Sequence, residues 1–482
     1  MDKAVLKKFA TESRRELMEK IKNKINMFYI DEEFNKEQKG DIYILTNTRH
    51  TLSLTDEEFK KRELLIKRIK ELSIEQVIEE ASYTWFNRII AIRYMEIHDY
   101  LPLTKDNQSL GIRVLSSKDN TPDPEILKFT NLMNPDIDID LKREKYAELK
   151  DDNEKFKYIL LLVCKKLARV IPQVFDGITD YIDILIPDNL LNDTGFITKI
   201  ISEVPEENYN QVEIIGWLYQ YYNQTEKDRV ISAKKAYKKN EIPYATQLFT
   251  PDWIVKYMVE NSLGKYFVEN NGKESLILTK NWKYFIENNI KLDNTNIDIK
   301  EITFIDPCCG SGHILVYAFE IFYKIYLFSG YNKNDIPEQI LKNNLFGLDI
   351  DDRAGQVSIL SVLLKAREYD KNIFNKEVVR NLNILSIQES NLISRAIIDN
   401  ISNDLQKENL IYLLDNFINA KEIGSLLLLE KKDYDELEKT INNDVTIFGI
   451  EMHEKVLPLI KITKLLSGKF DVVATNPPYM NI

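Results

Sequence analysis

Cysteine and histidine are scarce in this chain, which has three cysteines and four histidines among 482 residues. Cys164 stands alone, Cys308 and Cys309 are adjacent, and no Cys-x-x-Cys or paired histidine spacing occurs. Such a set provides neither a disulfide framework nor the ligand spacing of a zinc site. We therefore expect no structural metal, and we interpret Cys308 and Cys309 as small packing residues rather than reactive thiols.

Long apolar runs are also absent. The longest, Ile159–Cys164 and Leu426–Leu429, are far shorter than the ~20 residues that span a bilayer. The N-terminus, Met1-Asp-Lys-Ala, has no apolar signal region. With 44% hydrophobic and 29% charged residues, the composition is that of an ordinary globular protein. These features predict a cytoplasmic protein of two or three domains, without a membrane segment.

An excess of positive charge is the third feature that the chain lacks. Lysine and arginine number 65 against 76 aspartates and glutamates, which gives a formal net charge of −11. Proteins that bind duplex nucleic acid usually present a basic surface to the phosphates. Contact with a nucleic acid would therefore require basic residues gathered on one face, or a binding segment located elsewhere.

One stretch has the pattern of a ligand-binding turn, Phe304-Ile-Asp-Pro-Cys-Cys-Gly-Ser-Gly-His-Ile-Leu315. Ile302–Ile305 is apolar and predicts a short buried strand, which is followed at once by Asp306. The two glycines of the stretch permit a turn that side chains would block, and Ile314–Phe328 predicts a helix after it. Strand, glycine turn and helix are how α/β proteins bring backbone N–H groups close to a ligand.

Three further strands are predicted after this turn. Leu345–Asp349 ends in an acid, Val378–Leu385 has Asn383 near its end, and Phe470–Ala474 leads into an Asn-Pro-Pro-Tyr run. The gap before the last strand is helical in pattern over about residues 390–465. We interpret it as an inserted helical segment, because structureless loops of that length are rare in compact domains.

The first part of the chain has a different pattern. Residues 1–30 carry apolar positions at three-to-four spacing, and Thr55-Asp-Glu-Glu58 is a capping box that begins another helix. A basic, polar stretch around residue 235 marks the predicted boundary. The sequence thus predicts a mostly helical N-terminal domain, 1–235, and an α/β domain, 236–482.

Asp306-Pro-Cys-Cys-Gly-Ser-Gly312 together with Asn476-Pro-Pro-Tyr479 resembles the motifs of S-adenosylmethionine-dependent amino-methyltransferases, chiefly those that act on adenine N6 in DNA. Three further stretches, Tyr83–Glu96, Val212–Tyr222 and Ala245–Val255, narrow the resemblance to the PglX-type methyltransferases of BREX phage-exclusion systems. The resemblance covers nearly the whole chain. It implies a Rossmann-like methyltransferase domain behind the helical domain, and other phage-defence proteins as partners.

The resemblance also implies that S-adenosylmethionine binds at the ends of the predicted strands. Gly310 and Gly312 would let the backbone approach its methionine part, and Asp306 would accept hydrogen bonds from the ammonium of that part. Asp349 would accept from the ribose hydroxyls, as acids do in nucleotide-binding α/β folds.

Three further positions are candidates for the same cofactor site. Cys308 lies in the glycine turn, Asn383 would lie near the cofactor adenine, and Thr250 would lie against the methionine end. Thr250 also precedes Pro251 as a plausible helix N-cap, and this structural role alone would explain it.

The Asn-Pro-Pro-Tyr run would form the catalytic site, in which the amino nitrogen of adenine must be held as it becomes tetrahedral. The side-chain oxygen of Asn476 and the carbonyl of Pro477 would accept its two protons. The successive prolines, Pro477 and Pro478, would fix the backbone. Tyr479 would stack on an adenine flipped out of double-stranded DNA. No metal and no acid–base residue is needed for this chemistry.

Two other functions remain open from the sequence. The motif serves any planar amide-like nitrogen, so the target could be a protein glutamine or an RNA adenine; the large helical domain favours DNA. The chain could instead be a cofactor-binding interaction module without activity, which the acidic charge favours. We expect the strands that complete the sheet and the DNA-recognition region to follow Ile482. The 482 residues alone should then bind DNA weakly and methylate poorly.

Overall fold

A computed structural model describes residues 2–105, 108–131, 139–175, 181–233, 235, 237–238, 241–246, 249–288, 290–293, 295–444 and 446–477. Contacts between residues divide the chain into two compact units, 1–225 and 226–482. The boundary predicted at residue 235 thus falls a short distance inside the second unit.

The first unit is built mainly of helices. They are α1 Lys3–Met27, α2 Asp56–Glu71, α3 Ile74–Ile97, α4 Glu125–Asn131, α5 Arg143–Ala147, α6 Asp152–Val170, α7 Pro172–Phe175, α8 Tyr181–Ile184, α9 Phe196–Glu203 and α10 Glu213–Tyr222, with a 3₁₀ turn at Glu206–Asn210. α11, Gln224–Ser232, extends across the boundary between the units. α3 is buried on nearly every side, and α1 packs against both α3 and α10.

Strands β1 Asn35–Lys39, β2 Ile42–Thr46 and β3 Thr51–Thr55 form an antiparallel sheet in that order, and β4 Thr104–Lys105 pairs with β5 Gln108–Ser109. The three-stranded sheet has no counterpart among the elements predicted from the sequence. Its first strand, Asn-Lys-Glu-Gln-Lys, is exposed throughout and contains no apolar residue. A strand without a buried face leaves no apolar alternation in the sequence.

A buried ion pair anchors the middle of the first unit. Arg93 Nη1 donates to Glu96 Oε1 at 2.6 Å, and both side chains are 0% exposed. Glu96 Oε2 accepts from the backbone N–H groups of Val114 and Leu115 at 2.8 and 2.7 Å. Buried charge is tolerated when it is paired and hydrogen-bonded in this way, so Glu96 holds the segment after β5 against α3.

The second unit contains a parallel four-stranded sheet. Its strands are β6 Phe304–Asp306, β7 Leu345–Asp349, β8 Ile384–Ser386 and β9 Val472–Val473, in the order β8-β7-β6-β9. The chain moves outward from β6 to β8 and then returns to the other side of β6. In open α/β sheets, ligands bind outside the carboxyl ends of the strands at such a reversal.

Helices account for most of the remaining second unit. They are α12 Ile242–Thr246, α13 Asp252–Val259, α14 Lys265–Asn270, α15 His313–Phe328, α16 Ile336–Gln339, α17 Asp352–Tyr369, α18 Asp404–Asn416, α19 Ala420–Ile423, α20 Asp435–Asn443, α21 Ile447–Lys455 and α22 Leu457–Leu466. Short 3₁₀ helices occur at Lys273–Asn281, Ile299–Glu301, Ile373–Asn375, Glu377–Arg380, Arg395–Asn400 and Gly424–Leu426, and π-helical turns at Glu260–Gly264 and Ile340–Asn344.

The two faces of the sheet are covered by different parts of the chain. A Cβ on Gly347 would lie 2.8 Å from Leu315 Cδ1 of α15, so this face of β7 meets α15. The next residue, Leu348, points to the opposite face. It lies in one apolar cluster with Ile305 and the insertion residues Leu410, Leu413, Leu459 and Ile460. The long insertion is therefore the second helical layer of the unit.

The prediction of a strand at Val378–Leu385 is wrong in its bounds. Glu377–Arg380 forms a 3₁₀ helix, and the strand comprises only Ile384–Ser386. Val378 and Val379 are buried in the 3₁₀ turn, and a short apolar run of this kind does not reveal whether it is extended or helical.

Replacing Glu96 by glutamine should destabilise the protein by about 1–3 kcal/mol, because the buried Arg93 guanidinium loses the carboxylate 2.6 Å away and keeps only Glu206, at 3.2 Å and 31% exposed, as a counter-charge. The midpoint of urea unfolding, followed by circular dichroism, measures the loss. Glu71→Gln is the matched control, because Glu71 is 41% exposed and lies 3.6 Å from Arg68; its effect should stay below about 1 kcal/mol. Equal losses in the two variants would contradict the assigned role of Glu96.

Candidate active site

The pairing of β6 with β9 brings the two sequence motifs together. Ile305 lies opposite Val473, and Ala474 N donates to Ile305 O at 3.1 Å. Asp306 therefore lies level with Ala474, and Asn476 follows two residues beyond, at the same edge of the sheet. We refer to the region outside the carboxyl ends of these strands, where open α/β sheets bind their ligands, as the crevice.

The register of this pair is fixed by a side-chain clamp at the start of β9. Asp471 Oδ2 accepts from both the backbone N–H and the hydroxyl of Thr303, each at 2.8 Å. Tyr266 donates its hydroxyl to the other carboxylate oxygen at 3.2 Å. Because Asp471 and Thr303 each precede their strands, the clamp sets how far the Asn476 run extends past Asp306.

Asp306 is a buried carboxyl group with one unused oxygen. Its Oδ1 accepts from Cys308 N at 3.1 Å, whereas Oδ2 has no hydrogen-bond partner in the described part of the chain. Burial raises its pKa to about 7, although the nearby Thr475 hydroxyl and the Cys308 N–H oppose the rise. A buried oxygen without a donor favours a ligand that brings one, preferably with a positive charge.

The glycine turn lies between Asp306 and α15. Gly310 and Gly312 both have positive φ, +53° and +83°. A Cβ on Gly312 would lie 2.6 Å from Ser358 Oγ, whereas a Cβ on Gly310 would meet no atom within 4 Å and would extend into open space. Gly312 is thus required for packing, and Gly310 leaves room for a ligand to approach the backbone.

Asp349 ends β7 beside the glycine turn. Its Oδ2 accepts from Gly310 N at 2.8 Å and its Oδ1 from Asp351 N at 2.9 Å. Burial raises the pKa of Asp349 to about 6 against these hydrogen bonds. Burial would also raise the pKa of Asp351, but Arg353 outweighs it and holds that pKa below its ordinary value. Together with Asp306, these carboxyl groups make the crevice acidic.

Thr250 joins the Asn476 run to the start of α15. Asn476 Nδ2 donates to Thr250 Oγ1 at 3.1 Å, and His313 Nδ1 lies 3.0 Å from the Thr250 carbonyl. A carbonyl oxygen only accepts, so Nδ1 of His313 carries the proton. The His313 ring also stacks on Phe249, with centroids 4.6 Å apart. The prediction that Thr250 caps a helix is wrong: Pro251 is the N-cap of α13, without a side-chain cap bond.

Asn383 is the sequence candidate that the structure does not bring to this crevice. It precedes β8, at the amino edge of the sheet, and its side chain donates to Lys342 O at 3.3 Å. The predicted strand, Val378–Leu385, would put Asn383 near its carboxyl end, but β8 begins only at Ile384. Ser386, opposite Asp349, and Gln388 occupy that end instead. Pro477 is exposed, whereas Pro478 and Tyr479 lie outside the described residues.

Three contributors to the site carry no signal in the sequence. The half-buried Thr475 places its hydroxyl next to Asp306, His313 holds the Thr250 carbonyl, and Ser425 Oγ lies 3.5 Å from Cys308 Sγ. Ser425 belongs to the insertion, more than a hundred residues from the glycine turn, so only the fold reveals the contact. Burial raises the pKa of Cys308, which keeps its thiol neutral.

The described residues contain neither a cluster of metal ligands nor a membrane-spanning helix. In the described ranges, no three His, Cys, Asp or Glu side chains come together as metal ligands would. No described helix is both long enough and apolar enough to cross a bilayer.

The crevice is thus acidic and glycine-lined, with an asparagine at its edge, and the chain that forms it is similar to known methyltransferases. Residues 343–482 match the family of the Eco57I restriction-modification methylase. The chain is 34% identical to "Adenine-specific methyltransferase PglX" of Lacticaseibacillus casei (strain Zhang), over 100% of this chain and 43% of the relative. It is 32% identical to "Adenine-specific methyltransferase BrxX" of Escherichia coli O9:H4 (strain HS), over 98% and 42%.

The chain is therefore a homologue of the PglX and BrxX methyltransferases, which confirms the predicted resemblance, and it spans less than half the length of either relative. A "Putative type II restriction enzyme and methyltransferase" of Methanocaldococcus jannaschii is 29% identical over 45% of this chain and 19% of its own. One chain of the DrdV–DNA complex aligns over 70% of this chain and 29% of its own, with 11% identity and a TM-score of 0.22, too low to bear on the fold.

Alanine at the two glycines of the turn should have different effects on stability. Both backbones have positive φ, which costs about 1–2 kcal/mol for a residue with a Cβ. Gly312→Ala adds the clash with Ser358 and should lower the free energy of unfolding by about 1–3 kcal/mol more than Gly310→Ala does. Urea unfolding of both variants measures the difference, and equal losses would contradict the packing role of Gly312.

Proposed function

We propose that the protein is a Rossmann-like, S-adenosylmethionine-dependent methyltransferase that modifies adenine N6 in double-stranded DNA, within a BREX-type phage-defence system. The observation that carries the proposal is the shared crevice of Asp306 and Asn476, at the switch between β6 and β9. The names of the relatives that match this chain over its whole length agree with it. Residues 1–225 are the helical domain in this proposal, and the second unit carries the chemistry.

The residues of the crevice fit S-adenosylmethionine. The unpartnered oxygen of Asp306 would accept from the ammonium of the methionine part, and the open space at Gly310 lets that part reach the backbone. Asp349 would accept hydrogen bonds from the ribose hydroxyls, and Cys308 would line the turn. When bound, the cofactor supplies an electrophilic methyl group on a positively charged sulfur, which suits an acidic crevice. Gln388 replaces Asn383 as the candidate beside the cofactor adenine.

Asn476 would orient the target nitrogen. Because its amide nitrogen donates to Thr250, its side-chain oxygen is the end that can accept an amino proton of the adenine. The Pro477 carbonyl would accept the second proton, so that the nitrogen lone pair leaves conjugation with the ring and points at the methyl group. Hydrogen bonds of this kind help catalysis if they fit the transition state better than the ground state. We also assign Pro478 and Tyr479 to this site, as a rigid turn and a stacking surface.

The target adenine would have to leave the duplex, at a cost of a few kcal/mol, to reach this crevice. The net charge of −11 gives little general attraction to phosphates. We therefore propose that tight duplex binding depends on regions shared with the longer relatives, that other defence proteins take part, and that the protein acts in the cytoplasm. A protein glutamine or an RNA adenine remains the alternative target, and a binding module without activity the alternative class.

Asn476→Ala should reduce methyl transfer at least ~100-fold, because one of two transition-state acceptors is lost, and should leave S-adenosylhomocysteine binding unchanged. Thr250→Val, which keeps the shape but removes the acceptor for Asn476, should also slow transfer, and Thr250→Ser should restore it. Transfer of radiolabelled methyl from the cofactor to DNA measures all three. If Thr250→Ser is as slow as Thr250→Val, the hydroxyl does not position Asn476.

The same assay, with DNA, RNA and protein offered in parallel, separates the candidate functions. Label in DNA supports the proposal, and label in protein or RNA alone would overturn the DNA assignment. Cofactor binding without label in any pool would favour the binding module.

Cofactor affinity should increase with pH through the pKa of Asp306. The pKa of Asp306 in the folded protein, about 7, exceeds the ordinary value of 3.8. Its ionisation therefore lowers the free energy of unfolding of the ligand-free protein as the pH rises from about 4 to about 7. A bound ammonium group favours the ionised form. Titration calorimetry with S-adenosylhomocysteine should therefore show tighter binding from about pH 5.5 to about pH 7.

Asp306→Asn should bind the ligand at least about tenfold more weakly at pH 7 and lose most of this pH dependence. Asp335→Asn is the matched control, because Asp335 is exposed before α16, at the amino side of β7. An unchanged pH profile in Asp306→Asn would show that another group governs binding.

A further inference from the structure

The Ser425 loop, residues 424–428 of the insertion, contacts the cofactor half of the crevice. Ser425 Oγ lies 3.5 Å from Cys308 Sγ in the glycine turn. A Cβ on Gly424 would lie 3.2 Å from Ile350 Cγ2, and Ile350 directly follows Asp349. The loop therefore spans the ends of β6 and β7, at the two positions where the proposed function places the cofactor.

The loop presents unusually exposed apolar side chains at this position. Leu427 is 7% exposed and lies in the core of the insertion, whereas Leu426 and Leu428 are 79% and 94% exposed. Exposed leucines cost solvation free energy, and apolar groups that remain exposed beside a polar crevice are typical of a binding surface.

Lys421, three residues before the loop, fixes the chain that leads into it. Lys421 Nζ lies 2.6 Å from Asp352 Oδ2 at the start of α17, and Lys421 N donates to Glu389 at 3.2 Å. Gly424 has φ +63° and ψ −139°, a conformation that only glycine adopts readily. Leu426 and Leu428 therefore belong to a turn whose backbone position is fixed by neighbouring contacts.

We propose that the Ser425 loop is a wall of the cofactor cleft, and that Leu426 covers the adenosyl part of the bound nucleoside. This inference rests on the proposed function and extends it, because it makes the insertion part of the binding site and not only a cover for the sheet. A flat purine offers an apolar face that a leucine can shield from water, while Asp349 serves the ribose edge.

The strand order favours the cofactor over the target base as the occupant of this wall. The order β8-β7-β6-β9 puts β6 between the ends of β7 and β9. The loop contacts the residues that follow β6 and β7, whereas Asn476, which would hold the target base, follows β9 on the far side. The loop and Asn476 thus stand on opposite sides of the proposed methyl-transfer point.

Leu426→Ala tests the inference by titration calorimetry of the full chain with S-adenosylhomocysteine. Removing the side chain that covers the nucleoside should weaken binding about tenfold. Leu405→Ala is the matched control, because Leu405 is also an exposed leucine of the insertion, at 63%, but belongs to the first turn of α18, where the next residue, Gln406, donates to Thr440 of α20. The affinity of Leu405→Ala for the ligand should stay unchanged. Neither substitution should shift the melting temperature of the ligand-free protein, because both side chains are exposed.

The outcomes separate the two proposals. Normal affinity in Leu426→Ala, together with weakened binding in Asp306→Asn, would overturn the wall and leave the proposed function intact. Normal affinity for the nucleoside with weakened binding of a single-stranded oligonucleotide would show that the loop serves the target base, and would also overturn the inference. Absence of binding in the unmodified protein would overturn both.

Discussion

The parallel pairing of β6 with β9 is the constraint on which the rest of the second unit depends. The two strands are far apart in sequence, and the Asp471–Thr303 clamp sets their register before either reaches the crevice. A shift by one residue would turn Asp306 or Thr475 to the opposite face of the sheet. Thr250 then holds Asn476 from a third segment, so the site is closed by contacts among three distant parts of the chain.

The site is built at a cost in stability. Asp306 is buried with an oxygen that lacks a hydrogen-bond partner among the described residues, and a second, half-buried carboxyl group, Asp349, lies close by. A buried polar group without its partner is destabilising, and a native protein that keeps one commonly uses it for a ligand. The burial of apolar side chains on both faces of the sheet offsets this cost in the free energy of folding.

Local patterns in the sequence predict the parts of this site that are contiguous. Strand, glycine turn and helix from Phe304 to Phe328 are encoded by neighbouring residues, as are the acid after β7 and the helical character of the insertion. The position of Asn383 does not follow from the local pattern, because Val378 and Val379 are apolar without being extended. The contact of Ser425 with Cys308 could not be predicted, since it arises from the packing of the insertion on the sheet and follows no spacing rule.

The late position of β9 has a consequence for synthesis on the ribosome. Thr303 leaves the ribosome 168 residues before Asp471, its partner in the clamp. During that interval β6 has an open edge, and Ile305 and Leu348 lack the apolar layer that later covers them. Nascent chains with unpaired strands and bare apolar faces are prone to aggregate. A chaperone that covers this segment would therefore protect the growing polypeptide, and slower translation there would lengthen the vulnerable interval.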